Sequence, residues 1–382
     1  MELDFTVDQE ELQATVRTVL ATECTPAVVR ELVEARTAGK PVNADALWSH
    51  MVELGWPALT VPEAHGGLGL GAVELALVVE ELGRALAPGP LLPTISQFVP
   101  ALAALGSEEQ QDRFLAPVAA GSATGTLALA EATGSFDPAA VATTATPGAG
   151  GSYRLEGVKH GVLEAEIATD VVVVARTPGT TGDDGIAAFV VALDALDVVP
   201  IAALDQSRVL ATVSLADVDI PSDRVLGAPG PSTAAALRRV VQEATVALAL
   251  ESVGTAQQAF DISVAYAKER EQFGAPIGSF QATKHKLADM LLLVERARAL
   301  GYFAALTIAE ADARAAISTS MAKAAAGDAA QRIAREGIQI HGGIGYTWEH
   351  DMHLYVRRLQ SSSALFGGPN HHRQLIADLL GL

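Results

Sequence analysis

The residues best placed to do chemistry lie in the segment 265–289, AYAKEREQFGAPIGSFQATKHKLAD. One helix is predicted to end at Phe273-Gly274, and a second to begin near Ser279, which is a plausible N-cap. Helix N-termini carry unpaired N–H groups and the positive end of the helix dipole, so they suit phosphate. Arg270 can add a bidentate contact to a pyrophosphate. From spacing alone, however, an ordinary helix-turn-helix with a surface arginine is the favoured interpretation.

A glycine-rich run, Gln339 to Gly345 (QIHGGIG), follows a predicted long helix. Its glycines, Gly342, Gly343 and Gly345, permit positive φ angles or a close approach of the backbone to a ligand. A helix C-cap is the simpler interpretation of such a run. The histidines at 341, 350, 353, 371 and 372 do not form a helical His/carboxylate triad, so no metal site is predicted.

Composition and charge limit the class of protein. Of the 382 residues, 49% are hydrophobic and 19% are charged, which is typical of an Ala/Leu/Val-rich globular helical protein. The net charge of −19 argues against nucleic-acid binding, and any anionic cofactor would need basic residues gathered locally. The single cysteine excludes an internal disulfide. No signal-peptide pattern or long apolar run is present, so we expect a soluble cytoplasmic protein with no membrane partner.

The elements that must position these residues fall into three parts. Residues 1–122 read as helices, and residues 123–230 as a β-rich insert with turn residues between short strands. Residues 231–382 return to long helices. The fold class is therefore mainly α with a β insert, and these bounds are the predicted domains.

Particular segments carry these assignments. Ser107 and Gln110 predict a capping box, and Leu287, Met290, Leu291 and Val294 predict a core-facing stripe. The predicted helices include Asp8 to Leu20, Val73 to Leu86 and Ala322 to Ile338; the β-rich runs are Tyr153 to Val158, Val171 to Ala175, Ala187 to Leu193 and Val209 to Ala216; the exposed hairpin loops are Thr143 to Gly151 and Thr177 to Gly185.

The segment 265–289, the glycine run and the order of the three parts together resemble the acyl-CoA dehydrogenase family of FAD-dependent enzymes. The resemblance covers essentially the whole chain and is most specific in the last third. It implies an N-terminal helical domain, a middle β-barrel domain and a C-terminal four-helix bundle.

The resemblance also implies roles for residues that reach across a subunit interface to FAD. Arg270 would meet the pyrophosphate, Phe273 would pack near the adenine end, and Gln281 would hydrogen-bond the cofactor. The stretch from Gln339, with Gly342, Gly343 and Gly345, would hold the diphosphate and adenosine.

The chain departs from the family where the flavin ring and the catalytic base are expected. The position of the usual C-terminal glutamate base is Gly367, which cannot take a proton. The loop Leu129 to Asp137 echoes the family's flavin-binding loop, but it lacks the proline and contains Phe136. The segment Lys159 to Glu164 lacks the usual tryptophan.

The family's alternative base position falls on Ala244, and its usual neighbouring arginine is Thr245. Glu243 is one residue away, and one helical step rotates a side chain by about 100°. We therefore favour a solvated Glu243 over a catalytic one, although Glu243 is the candidate base that this chain offers.

Three functional hypotheses follow. The chain is most similar to the diverged subunit of actinobacterial α2β2 acyl-CoA dehydrogenases, which desaturate bulky CoA thioesters such as steroid side-chain esters and whose partner subunit carries the base. A self-sufficient homotetramer that uses Glu243 is the first alternative, and a non-catalytic CoA-ester-binding or scaffold protein is the second. The resemblance implies an electron-transferring flavoprotein as electron acceptor.

Overall fold

The computed structural model describes residues 4–40 and 44–382. Its N-terminal part is helical, as predicted. The helices are α1 (Val7–Glu23), α2 (Pro26–Thr37), α3 (Asp45–Glu53), α4 (Ala72–Ala85), α5 (Leu91–Pro93), α6 (Val99–Leu105) and α7 (Glu108–Ala119). The predicted capping box at α7 is confirmed. Ser107 Oγ accepts from the Gln110 N–H at 3.3 Å, and Gln110 Oε1 accepts from the Ser107 N–H at 2.9 Å.

The middle part is a β domain. Its strands are β1 (Gly125–Ala128), β2 (Thr144–Pro147), β3 (Tyr153–Leu163), β4 (Asp170–Arg176), β5 (Ile186–Ala192), β6 (Asp197–Pro200), β7 (Leu210–Ile220) and β8 (Val225–Leu226). They form one sheet in the order β6-β7-β3-β2-β4-β5-β8, and β1 pairs in parallel with β4. The strand order ends at β6 and β8, which do not pair with each other within the described residues. The sheet is therefore open, whereas the predicted β-barrel would be closed.

The four predicted β-rich runs correspond to β3, β4, β5 and β7. The loop predicted at 177–185 joins β4 to β5 and is closed by a hydrogen bond from the Thr177 N–H to the Gly185 carbonyl oxygen, at 2.8 Å. The loop predicted at 143–151 instead contains β2, which pairs antiparallel with β3. The strands of two to four residues were missed because so short a run shows no period-two pattern.

The C-terminal part is helical. Its elements are α8 (Pro231–Glu269), β9 (Glu271–Gln272), β10 (Ala275–Pro276), α9 (Gln281–Ala309), α10 (Ala315–His341), α11 (Met352–Ala364) and α12 (Pro369–Leu379). Helices α8, α9, α10 and α11 pack together, and α12 packs on α10. The predicted order of helical, β and helical domains is therefore confirmed, while the boundaries at residues 122 and 230 stay predictions.

The core-facing stripe of α9 is only partly as predicted. Met290 and Val294 are fully buried, and Leu287 is partly buried, but Leu291 is 40% exposed. Within the described residues, no helix has both the length and the apolar character that crossing a bilayer requires.

Helices α4 and α8 cross closely because each offers a glycine at the contact. A Cβ atom at Gly254 would overlap the Glu80 carbonyl oxygen, and one at Gly83 would overlap the Glu251 carbonyl oxygen. The crossing fixes α8 against the N-terminal domain, and α8 in turn carries the residues of both candidate sites described below.

A buried charge network joins the middle domain to the C-terminal helices. The fully buried Arg358 of α11 donates hydrogen bonds to Asp205 Oδ2, Glu251 Oε1 and Ser207 Oγ, each at 2.6 Å. Arg208 also pairs with Glu251 of α8. The loop between β6 and β7 is thereby tied to α8 and α11.

Candidate functional site

The predicted phosphate-binding segment lies at the junction of α8 and α9. Helix α8 ends at Glu269, and Arg270 is its extended C-cap residue. The prediction that this helix runs to Phe273-Gly274 is therefore wrong, since these residues form the turn of the β9–β10 hairpin with φ angles of 54° and 77°. The turn projects Phe273, which is 95% exposed.

The start of α9 also differs from the prediction. Ser279 is not its N-cap, because the helix begins at Gln281 and the Ser279 hydroxyl donates to the Pro276 carbonyl oxygen at 2.6 Å. The N-cap is Phe280, and no side chain caps the first turn. The first N–H groups of α9 therefore remain available to an anion. Gln281 lies at this end, with its Nε2 2.9 Å from His285 Nε2.

The predicted glycine run forms a tight turn directly after α10. Gly342 has a φ of 66°, and a Cβ atom at Gly342 or Gly343 would meet no atom within 4 Å. Gly345, by contrast, is buried, and a Cβ there would lie 3.0 Å from His341 Cβ. The exposed Gln339 lies in the last turn of α10. The turn thus presents open backbone at two of its three glycines.

The structure places this glycine turn beside the end of α8. The Tyr266 ring of α8 stacks on the His341 ring with centroids 4.5 Å apart. The Tyr266 hydroxyl donates to the His341 carbonyl oxygen at 3.5 Å. Because Tyr266 is one helical turn before Arg270, the two sequence-predicted segments lie near each other at this end of α8. Tyr266 was missed because an aromatic residue inside a helix gives no separate signal.

The histidines beside the glycine turn are neutral at pH 7. Burial lowers the pKa of His341, His350 and His353, and that of His353 falls to about 4. In residues 4–40 and 44–382, no group of three or more His, Cys, Asp or Glu side chains is arranged to hold a metal ion. A diphosphate at this turn would therefore depend on other residues for its positive charge.

A second region contains the position where a base was expected. Gly367 has a φ of 95°, and a Cβ atom there would lie 2.5 Å from His371 Cδ2 and 3.1 Å from His372 Nε2. His372 is buried and donates from Nε2 to the Phe366 carbonyl oxygen at 2.8 Å. A side chain at position 367 would therefore adopt a strained backbone conformation and would displace the exposed His371 ring.

Apolar side chains fill the space in front of Gly367. The Phe136 and Phe366 rings stack with centroids 4.2 Å apart and planes 19° from parallel. Leu163, Ala244 and Leu248 pack with Phe366 in one buried cluster. The loop 129–137, the segment 159–164 and position 367 thus do converge, but they meet through packed hydrocarbon.

Glu243 does not face this cluster. Ala244 is buried beside Phe366, while Glu243 lies among Ala72, Leu75 and Ile308 on another side of α8. Its carboxyl is partly buried, so the expectation of a solvated Glu243 is wrong. Burial raises its pKa to about 7, and Arg239 offsets this only in part. Thr245, at the position of the family's arginine, donates to the Val241 carbonyl oxygen at 2.6 Å.

Comparisons with known proteins agree with this geometry. Family models match residues 6–122, 126–210 and 234–381, described as the N-terminal, middle and C-terminal domains of acyl-CoA dehydrogenase. The chain is 34% identical over 364 residues to acyl-CoA dehydrogenase IpdE2 of Mycobacterium tuberculosis, covering 95% of this chain and 94% of that protein. The chain belongs to the acyl-CoA dehydrogenase family.

Solved structures share the fold of this chain. The ChsE4–ChsE5 complex of Mycobacterium tuberculosis matches with a TM-score of 0.88 and 28% identity, covering 100% of this chain and 99% of that one. A variant of the Tcur3481–Tcur3483 steroid acyl-CoA dehydrogenase matches with a TM-score of 0.85 and 31% identity, covering 98% of each chain.

Acyl-CoA dehydrogenases depend on FAD, and the junction of α8 and α9 fits the diphosphate end of that cofactor. Arg270, Lys268 and Lys284 are exposed, and none of the three has a carboxylate partner within the described residues. The chain carries 45 acidic residues against 26 basic ones, so unpaired cations gathered at one place suit an anion. Sequence reasoning did not single out the two lysines; Lys268 lies in the last turn of α8, and Lys284 lies in the first turn of α9.

The region expected to hold the flavin ring fits the cofactor less well than the α8–α9 junction does. Glu131, in the loop that echoes the family's flavin-binding loop, binds Lys159 Nζ at 2.7 Å and the Thr143 hydroxyl at 2.6 Å. Burial acts against its charge, but these hydrogen bonds and the Lys159 charge lower its pKa to about 2. The loop is therefore held by internal contacts, with Phe136 directed into the cluster around Phe366.

Proposed function

We propose that this chain is one of two subunit types in an FAD-dependent α2β2 acyl-CoA dehydrogenase. The enzyme would desaturate a CoA thioester between Cα and Cβ, and the partner subunit would supply the catalytic base. This chain would bind the diphosphate and adenosine of FAD whose ring lies mainly in the partner subunit. An electron-transferring flavoprotein and a cytoplasmic location remain part of the proposal.

One observation carries the proposal, namely the contrast between the two ends of the expected cofactor site. The α8–α9 junction and the glycine turn are open and basic, whereas the region around Gly367 is closed by Phe136, Phe366 and Leu163. A chain built to complete a neighbour's site needs the first region and has no need of the second.

Within this proposal, the chain's own residues bind and orient. Arg270 donates to the pyrophosphate, the first N–H groups of α9 add unpaired donors, and Gly342 and Gly343 allow the backbone to approach. Gln281, Gln339 and Phe273 contact the nucleotide end. FAD, when bound, supplies the hydride acceptor for the desaturation. The packed cluster at Phe366 keeps water and substrate out of this chain's own core.

A bulky substrate is the finer part of the proposal. The ChsE4–ChsE5 structure is of a complex, and the Tcur3481–Tcur3483 enzyme is a steroid acyl-CoA dehydrogenase. Both resemble this chain over nearly its full length, which supports a two-subunit assembly and a steroid-type thioester. The acyl group itself would be set by pocket residues of the partner subunit.

The visible spectrum of the purified protein tests the proposal. Expressed alone, the chain should retain little flavin and show no dehydrogenation, and co-expression with its partner subunit should give a yellow, active complex. In that complex, Arg270→Gln should lower flavin retention about tenfold or more, the loss expected for a charge-assisted pair. Arg154→Gln, at an exposed arginine of the β domain, is the matched control and should leave flavin unchanged. A yellow and active protein purified without any partner would contradict the proposal.

A self-sufficient homotetramer is the second candidate, because Glu243 is a partly buried carboxyl whose pKa of about 7 suits proton transfer. Under that hypothesis, Glu243→Gln abolishes turnover and leaves flavin bound. Under the two-subunit proposal, the same substitution leaves the turnover of the complex within about twofold of the wild-type value.

A third candidate is a non-catalytic scaffold. It predicts that the chain binds no flavin even after co-expression with a partner subunit.

A further inference from the structure

A groove between the N-terminal and middle domains has no part in the proposed function. Its volume is about 560 Å³, and it lies between the C-terminal end of α2 and the loops that follow β3 and β6. Three cations line it, namely Arg36, Lys40 and Arg208. Its volume is within the range of small-molecule pockets, which is about 300–1,000 Å³.

Two of the three cations of this groove, Arg36 and Lys40, form no direct ion pair within the described residues. Arg36 donates one hydrogen bond, from Nη1 to the Gln206 carbonyl oxygen at 3.2 Å, and its charge acts on the buried carboxyl of Glu164. Over the same residues, the Lys40 ammonium has no hydrogen-bond or ion-pair partner. Arg208 pairs with Glu251 and lies 3.8 Å from Asp205, but its buried Nη1 has no hydrogen-bond partner.

Cations without a direct carboxylate partner, such as Arg36 and Lys40, are informative in a chain with a net charge of −19. The proposed function assigns Lys268, Arg270 and Lys284, which also lack one within the described residues, to the FAD diphosphate. Charges of one sign that share a concave surface repel one another, and they attract a ligand of the opposite sign. Of the described carboxylates, only Glu166 lines this groove. The buried Glu251 and Asp205 offset the charge of Arg208. The buried Glu164, whose pKa is raised to about 7 by burial, offsets that of Arg36 only in part. Arg36 and Lys40 therefore supply the positive charge that a ligand would meet.

The remaining lining is apolar. Pro200 and Ile201 are exposed at its edge, Ile167 is partly buried, and Val209 is buried in its wall. An apolar wall beside a cationic end matches a ligand that has an apolar body and an anionic head. A concave surface of this size favours a small molecule over a protein segment.

We propose that this groove binds an amphipathic organic anion. Its carboxylate or phosphate head would contact Arg36 and Lys40, and the Nη1 group of Arg208, which also lines the groove, would add a hydrogen-bond donor. Its apolar body would lie along Pro200, Ile201 and Val209. The site depends neither on flavin nor on a partner subunit, so it can be tested independently of the proposed function.

Isothermal titration of the full-length chain with decanoate and with decyl phosphate tests this site. At least one ligand should bind, with an affinity that falls as salt rises, and the stronger ligand identifies the preferred head group. The double variant Arg36→Gln/Lys40→Gln should weaken binding about tenfold or more, because it removes both accessible cations.

Two controls separate the site from general adsorption. The double variant Arg154→Gln/Arg335→Gln removes the same charge from exposed positions on β3 and α10, and it should keep the wild-type affinity. Decanol has the same apolar body without the charge and should bind about tenfold more weakly. Failure of both anions to bind, equal affinities in the two double variants, or decanol binding as tightly as decanoate would each overturn the proposal. Thermal unfolding of each variant verifies that it is folded.

Discussion

At the level of single residues, position 367 not only lacks a carboxylate but also has a backbone conformation that favours glycine. Its φ of 95° lies in the region that favours glycine, and His371 and His372 occupy the space a side chain would need. The preceding residue, Phe366, also has a positive φ, of 54°, and stacks on Phe136. A carboxylate introduced at this position would therefore add backbone strain and displace His371.

We expect Gly367→Ala to lower the free energy of unfolding by about 2 kcal/mol, because it adds backbone strain and a clash with His371. Gly368→Ala is the neighbouring control. Gly368 has a φ of −80°, and its Cβ would meet only the Ser363 carbonyl oxygen, at 3.9 Å. As an N-cap change, it should cost less than about 1 kcal/mol. Denaturant unfolding measures both, and equal losses would contradict the strain argument.

Glu243 predicts a pH dependence of stability. Its pKa is raised from 4.5 to about 7 in the folded chain, so the folded state binds more protons between these values. Its contribution is therefore fully present below pH 4.5 and is lost as pH rises through 7. Glu243→Gln should make the chain about 2 kcal/mol more stable than wild type at pH 8, with no gain at pH 4.5. Denaturant unfolding across this range measures the difference, and Glu269→Gln, at an exposed site, should show none.

At the level of elements, the positions of the proposed cofactor-binding residues depend on where α8 ends and α9 begins. Sequence patterns identified both helices and the glycine run, but they placed the end of α8 four residues too late and gave α9 the wrong N-cap. The reason is the β9–β10 hairpin, whose two-residue strands carry no periodic signal. Its tight turn projects Phe273 outward and leaves the first turn of α9 without a side-chain cap.

Gly343→Ala separates cofactor binding from folding at this element. The position is open, since no atom lies within 4 Å of the Cβ that alanine would add. The melting temperature of the isolated chain should therefore stay within about 2 °C of wild type. In the two-subunit complex, the added methyl group should lower flavin retention several-fold, measured by absorbance. Unchanged flavin retention would mean that the cofactor does not approach this turn.

At the level of the whole molecule, α8 is the element that all three domains share. It crosses α4 at Gly254, carries Ala244 beside the Phe366 cluster, and brings Glu251 to Arg358. Arg358 also fixes the loop before β7 through Asp205. The relation between the middle domain and the C-terminal helices thus depends in part on a few buried charges.

Arg358→Met should destabilise the chain by about 3–5 kcal/mol, because it leaves Asp205 and Glu251 buried with fewer charge partners. Arg357→Met is the adjacent control. Arg357 lies over the Trp348 ring at 5.0 Å and pairs with no carboxylate in the described part of the chain, so its loss should cost about 1 kcal/mol or less. Thermal or denaturant unfolding compares the two, and similar losses would show that the buried network contributes little.

The sequence by itself determined the order of the domains and the family, and it predicted which residues would bind a diphosphate. Helical and strand periodicity, the Ser107 cap and the spacing of Arg270 from the glycine run are local properties, so they can be read from one chain. The sequence also showed that position 367 is a glycine, which cannot act as a base.

Only the tertiary structure decided what occupies that place and which groups share a surface. The stacking of Phe136 on Phe366, the burial of Glu243 and the unpaired cations near Arg36 each join segments far apart in the sequence. Such contacts are set by how helices and strands pack in three dimensions, and no local pattern in the sequence encodes that packing.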